Sequence, residues 1–265
     1  ESLNYMIEKT KDPEYMVELG GYYYEGNKYD QALKYYEMAD TYGHPWAPEG
    51  LGYIWYYGRT GKIDYQKAFL YYSKAAENGF LKSKVKVADM YKNGYYVNKD
   101  YEQYCRIIEE SYKMVKTPTN LFDPYPEICT RLAGIRKKQG KKDEAVSLYL
   151  DAKNFLQQRI RYSHFFGDLN IMKWLIEDLY TMIPFDKLEF DFYDLYYYLK
   201  KPGIVKFHYN GKVYVIEAIR TEEGTAVHFE DQWYRDIHDF IFKAYLGNDR
   251  LHALYRSLYG FEVVG

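Results

Sequence analysis

The sequence predicts a mostly α-helical chain: an α-solenoid of about four stacked helix pairs, followed by a small α+β module with a three-stranded antiparallel sheet. Three observations carry that expectation. A small residue followed six positions later by Gly recurs along the first half, at Gly20/Gly26, Gly52/Gly58, Ala88/Gly94 and Gly134/Gly140. An Asp precedes a new apolar run after each of them, at Asp30, Asp64, Asp100 and Asp143. Near the end, "IVKFHYNGKVYVIEAI" (204–219) alternates in polarity and carries Asn210-Gly211 between two β-rich runs, the pattern of a two-residue hairpin.

A fixed-period repeat explains the first two observations. Anchor spacings of 32, 36 and 46 residues vary in length while the register holds. The first Gly of each pair sits inside a helix, where it costs roughly 1 kcal/mol against Ala, so its recurrence implies close approach of a neighbouring helix. The second Gly falls where that helix should stop and suits a left-handed C-cap. The Asp residues then cap or charge-stabilise a second helix. Tyr23, Trp55 and Tyr91 follow the first three anchors by three positions, whereas the fourth register has Lys137.

Two of these units resemble Sel1-like repeats, a subclass of tetratricopeptide-type α-solenoids. The motifs are "APEGLGYIWYYGRTGKIDYQKAFLYYSKAAENG" and "SKVKVADMYKNGYYVNKDYEQY", each with ten residues from the capping Gly to the second-helix position (Gly58 to Ala68, Gly94 to Tyr104). The first and fourth units use shorter turns, "EGNKYDQA" and "QGKKDEA", nearer the ordinary tetratricopeptide pattern. The resemblance covers about residues 12–160 and implies a right-handed α-α superhelix. Its departures are Ala88-Asp89, where Leu-Gly is usual one place earlier, and an insertion before Pro118.

The resemblance further implies a non-enzymatic scaffold that binds a protein or peptide, with the first helix of each unit lining a concave groove. On that face fall Glu14, Val17, Gly21, Tyr24 and Glu25 in the first unit, and Trp46, Glu49, Tyr53, Tyr56 and Tyr57 in the second. Lys82, Val85, Asp89, Lys92 and Asn93 follow in the third. Tyr and Trp beside mixed charges suit a peptide partner. The expected partner-binding residues are Tyr24, Trp46, Glu49, Tyr53, Tyr56, Tyr57 and Lys92. Most of the 35 tyrosines, Tyr23, Tyr36 and Tyr72 among them, read first as core between repeats.

After a Pro-broken connection, "TPTNLFDPYPEI" (117–128), a fourth helix pair runs to about Tyr162. "GDLNIMKWLIEDLYTMI" (167–183) has helical spacing, with Asp168 as a cap, and reads as a terminal helix covering the open end of the array. The expected domains are therefore 1–185, the solenoid with its capping helix, and 186–265, the α+β module. In the latter, "FDFYDLYYYLKK" (190–201) is a short helix ended by Pro202-Gly203, and "TAVHF" (225–229) is a third strand. "EDQWYRDIHDFIFKAYL" (230–246) and "DRLHALYRSLY" (249–259) read as helices.

Composition limits the function classes. With 36 basic against 38 acidic residues, the chain presents no field for nucleic acid or an anionic membrane. No run of about 18 apolar residues occurs, so no membrane span is expected. Cys105 and Cys129 make no disulfide framework and fit a reducing, cytoplasmic compartment. The chain begins at Glu1, which leaves room for a removed leader or anchor.

No phosphate loop, "HExxH" or "GxSxG" is present, and no cofactor is expected. The six histidines are scattered, and His208 and His228 alone make a poor zinc site. Two minority readings remain from the residues. One is an activity in the terminal module around His208, His228 and Glu217. The other is a phosphate or RNA contact at the basic cluster "RKKQGKK" (136–142). The hairpin at 204–219 would also offer an edge to an extended partner strand if nothing covers it. Oligomeric state leaves no trace in the sequence.

Overall fold

The computed structural model describes residues 3–115, 120–163, 166–184 and 188–264. Residues 117–119 of the connection and His164 lie outside them. The chain divides into two compact units, Glu1–Val115 and Lys116–Gly265.

The first unit is a stack of helices: α1 (Leu3–Thr10), α2 (Pro13–Glu25), α3 (Tyr29–Thr41), α4 (Ala47–Tyr57), α5 (Tyr65–Glu77), α6 (Leu81–Asn93) and α7 (Tyr101–Val115). The pairs are α2–α3, α4–α5 and α6–α7. The repeat punctuation acts as its chemistry dictates. Gly58 and Gly94 end α4 and α6 in the left-handed conformation, at φ 61° and 75°. Asp64 caps α5 by accepting from the Lys67 N–H (3.0 Å), and Asp100 accepts from the Gln103 N–H (2.8 Å). Asp30 and Asp143 lie inside the first turn of their helices and act only on the dipole. Gly26 departs from the expectation: its φ is −77°, and Asn27 takes the positive φ instead. The shorter turn "EGNKYD" shifts the left-handed position by one residue.

The anchors are explained by rings. A Cβ added at Gly20 would lie 2.5 Å from the Tyr36 ring, and one at Gly52 would lie 2.6 Å from the Tyr72 ring. Both tyrosines are buried. Tyr36 also lies 3.0 Å from where a Cβ on Gly50 would stand, so its ring is wedged between a glycine of its own helix pair and one of the next. Burial pushes its phenol up to about 12, with Glu25 adding to the shift. At the third anchor Ala88 is fully buried.

The second unit contains the helix pair α8 (Tyr125–Lys138) and α9 (Lys142–Ser163), then α10 (Phe166–Leu179). A 3-10 turn (Phe192–Asp194) runs into α11 (Leu195–Tyr198). Asp168 sits buried in the first turn of α10 and accepts from the Arg159 guanidinium at 2.7 Å, while Arg159 also reaches Glu127 of α8 at 2.8 Å. Lys153, also from α9, bridges Asp191 and Asp194 at 2.8 Å each. Burial alone would discharge this ammonium, but the two carboxylates hold its pKa above the ordinary lysine value. α10 packs on the last helix pair, α9 and α8, and also against α11 and the later helix α12.

The sheet has five antiparallel strands, not three. They are β1 (Gly203–Tyr209), β2 (Lys212–Thr221), β3 (Gly224–Phe229), β4 (Gln232–Tyr234) and β7 (Tyr259–Val264), in the order β4-β3-β2-β1-β7. A separate two-stranded ribbon joins β5 (Tyr245–Leu246) and β6 (Asp249–Arg250). The Asn210-Gly211 turn forms as expected, with φ 47° and 77° and Tyr209 paired to Lys212. β3 covers one side of this hairpin and β7 the other, so the hairpin exposes no edge; the sheet's edges are β4 and β7.

The two expected helices at 230–246 and 249–259 are corrected. Only α12 (Ile237–Lys243) is helical in the first, because Asp236 caps it by accepting from the Asp239 N–H (2.8 Å). Trp233-Tyr234 meanwhile pairs back on β3. The second becomes β6, a 3-10 segment (Leu251–Ser257) and β7. The buried sheet face places Phe207, Phe229 and Tyr234 against Phe240 of α12 and its surroundings, with Phe229–Phe240 and Tyr234–Phe240 centroids 5.5 and 5.3 Å apart.

The anchors yield a paired prediction. Gly52→Ala should destabilise the chain by about 1–3 kcal/mol, because the methyl meets a ring that cannot move. Gly134→Ala should be neutral or stabilising by up to about 1 kcal/mol, because its nearest neighbour is the Tyr149 hydroxyl at 3.9 Å. Urea midpoints of the two variants check this; equal effects would contradict it.

Candidate functional site

The first unit carries the richest cluster of chemistry. Glu49, Tyr53 and Tyr57 are spaced four apart on α4 and form one row along its surface. Glu49 accepts from the Ser83 hydroxyl of α6 at 2.8 Å. The Tyr53 ring meets Tyr24 of α2 edge-on at 5.8 Å and Tyr57 at 4.4 Å. Tyr57 is 41% exposed, and its hydroxyl accepts from Lys86 Nζ of α6 at 2.7 Å. Lys86 lies 4.9 Å over Tyr56 and 5.0 Å over Tyr57. These contacts tie the first helices of three consecutive pairs together by side chains.

At the end of the row stands Arg59, just past the Gly58 cap. Its guanidinium lies 5.4–5.9 Å from the ring centroids of Tyr24, Tyr29, Tyr53 and Tyr57. Burial works against this cation, while the Tyr24 and Tyr53 phenol oxygens favour it and raise its pKa. The Tyr24 phenol is held neutral well beyond the ordinary tyrosine range, first by burial and then by Tyr53.

The seven expected partner-binding residues thus separate. Tyr24, Tyr53, Tyr56 and Tyr57 come together. Tyr56 points more inward: it is half-buried among Tyr65, Tyr72 and Tyr95, with centroids at 5.6, 6.0 and 6.1 Å. Its phenol pKa is pushed far up by burial, with Asp89 adding to it. Trp46 precedes α4 and packs edge-on against Tyr36 at 5.4 Å. Glu49 begins the row, and Lys92 lies over Tyr104 of α7 at 5.2 Å. Sequence reading missed Arg59, Lys86, Tyr29 and Ser83. Lys86 lies four residues after Lys82 and was open to the same helical projection. Arg59 belongs to a turn, where no periodicity marks a position.

The other candidates disperse. Glu217 and His228 are direct cross-strand partners, and the His228 ring rests on Trp233 at 4.6 Å. His208 lies on β1 opposite Val213 and stacks on Tyr259 at 5.5 Å. It is four residues along β1 from Ile204, the partner of Glu217, or roughly 13 Å at strand rise. These groups therefore spread over an open sheet face. No group of three His, Cys, Asp or Glu suited to a metal occurs among the described residues. The buried Cys129 thiol is pushed up to about 12, chiefly by burial, which leaves it a poor nucleophile. No described helix is long and apolar enough to cross a membrane.

Three of the five cations of the basic turn at 136–142 are paired with two carboxylates. Arg136 and Lys141 pair with Glu144 at 3.0 and 3.3 Å, and Lys137 pairs with Asp178 at 2.6 Å. A depression of about 240 Å³ there is lined by Lys137, Gly140, Lys142, Thr181 and Met182.

No protein-family model matches this chain, and no curated protein matches it. Solved structures do. A Sel1 repeat protein from Oxalobacter formigenes superposes with a TM-score of 0.51 at 21% identity, covering 64% of this chain and 63% of that one. A protective antigen of uropathogenic Escherichia coli strains with an SLR fold gives 0.47 at 18%, covering 71% and 44%. YrrB, described as a TPR protein with an unusual peptide-binding site, gives 0.43 at 14%, covering 70% and 94%. The chain thus spans about 63% and 44% of the first two proteins. At these identities the likeness concerns the fold, and the helical repeats have the Sel1/TPR type of fold.

Asp178 supplies a pH prediction. Burial alone would raise its carboxyl, but hydrogen bonds from Lys137 and Tyr149 hold it below the ordinary aspartate value. Its stabilisation is therefore complete above about pH 4 and is lost as pH falls through the lowered folded value. Asp178→Asn should flatten the acid limb of the urea-midpoint profile between about pH 4 and 2, and an unaltered limb would contradict this.

Proposed function

We propose that this protein is a non-enzymatic scaffold whose helical repeats hold a protein or peptide along the face formed by their first helices. The observation that carries the reading is the Glu49–Tyr53–Tyr57 row, a strip half-buried at Glu49 and Tyr53 and exposed at Tyr57, and fixed by Tyr24 and Lys86. Such a strip is already ordered before a partner arrives. Its rings have few rotamers to lose, so a small number of anchors can supply most of the affinity. Repeats of the Sel1/TPR type generally serve as protein-interaction scaffolds, which agrees with this use of the face.

The seven residues divide the labour. Tyr53 and Tyr57 make the contact surface. Tyr24 and Tyr56 hold those rings, Trp46 braces α4 from behind through Tyr36, and Glu49 and Lys92 add polar points. Tyr57 is the residue to test, because it is the most exposed of the strip's rings and Tyr56 is tied into the packing of α5. Tyr57→Ala should weaken a partner recovered on the immobilised wild-type protein by about tenfold or more, while leaving the melting temperature within a few degrees. Retention of that partner at unchanged affinity would count against the groove.

A further inference from the structure

Arg59 has no ion pair with a carboxylate among the described residues. Elsewhere in the same unit Lys74 pairs with Asp40 at 2.6 Å and Lys84 with Glu110 at 3.1 Å. Arg59 instead faces four tyrosine rings, with no Asp or Glu at ion-pair distance among the described residues. Its Nε is buried and has no acceptor at hydrogen-bonding distance. Ring faces attract a guanidinium and the Tyr24 and Tyr53 phenol oxygens favour it, yet these neutral groups supply no countercharge.

The turn that presents Arg59 is rigid. Its own N–H bonds to the Ile54 carbonyl (3.0 Å), the Gly61 N–H to Gly58 (2.9 Å), and the Asp64 N–H to Trp55 (3.0 Å). A cation held this way is preorganised for an anion and loses little entropy on meeting one. Lys86 also lies 5.0 Å from the Tyr57 ring centroid, so the exposed tyrosine has two positive charges beside it.

From this geometry we propose that the partner is an acidic peptide segment that sets an Asp or Glu side chain on Arg59 and an adjoining apolar residue on Tyr53 and Tyr57. The inference rests on the groove reading above and adds the charge of the partner to it. A carboxylate matches the planar fork of Arg59, and the pairing is made beside rings that exclude water, where a charged hydrogen bond counts for more. A nucleic acid would need a run of cations along the strip, and the chain carries a net charge of −2.

The test is selection of random dodecapeptides displayed on phage against three immobilised baits: the wild type, Arg59→Gln and Tyr57→Ala, each checked by thermal melting. The expected result is that the wild type enriches peptides with an Asp or Glu beside an apolar residue, and that both variants lose them. A selected peptide resynthesised with Gln for Glu should then bind the wild type at least about tenfold more weakly. That last measurement needs no protein variant, so it decides the matter even if Arg59→Gln fails to fold. Enriched peptides without an acidic residue, lost by Tyr57→Ala but kept by Arg59→Gln, would overturn the acidic-partner inference and leave the groove standing. Peptides that survive both substitutions, or no enriched peptide at all, would overturn both.

Discussion

The close approach of a tyrosine ring to a glycine backbone is the constraint on which the helical repeats depend. In the first two full pairs the ring from the second helix lies where a side chain on the first helix would have to be. A helix gives up about 1 kcal/mol of propensity for that glycine. In return a large, stiff, mostly apolar side chain fills the seam between helices at one fixed depth. Tyr36 shows the gain most plainly, because Gly20 and Gly50 admit the same ring from two successive repeats. Once these rings are seated, the rotation of α4 is set, and with it the direction in which Glu49, Tyr53 and Tyr57 face.

Tyrosine suits this design because it is amphipathic. Its ring tolerates burial and its hydroxyl needs a polar neighbour or water. In the first unit the Tyr29 and Tyr35 hydroxyls donate to Asn27 and Asn4, Lys86 donates to the Tyr57 hydroxyl, and Arg59 lies among four rings. Packing and the proposed recognition surface therefore share the same residues. The inner rings hold the outer ones, and the outer ones are left partly exposed beside positive charge.

The second unit is held by a different device. Two cations of α9, Lys153 and Arg159, reach carboxylates on three other segments: Asp191 and Asp194 at the 3-10 turn, Asp168 on α10, and Glu127 on α8. Buried ion pairs contribute little net stability, but one partner left alone is costly, so they penalise misplaced neighbours strongly. That specificity has a use here, because the same helix faces both another helix and the module that carries the sheet.

Much of this was legible in the chain. The helix pairs, the left-handed stops at Gly58 and Gly94, the caps at Asp64 and Asp100 and the Asn210-Gly211 turn all follow from local chemistry, in which a residue's own backbone preference or a partner three or four positions away decides the outcome. The tyrosines of the groove were legible as a helical face for the same reason. The tertiary structure alone decided that Asp168 pairs with Arg159, and that 230–246 and 249–259 give up strands to the sheet. It also decided that Arg59 is surrounded by four rings. For two of these the reason is distance along the chain: β7 pairs with β1 across about fifty to sixty residues, and Arg59 meets Tyr24 across thirty-five, from a turn with no periodicity of its own. Contacts of that range leave no pattern in the sequence near either partner.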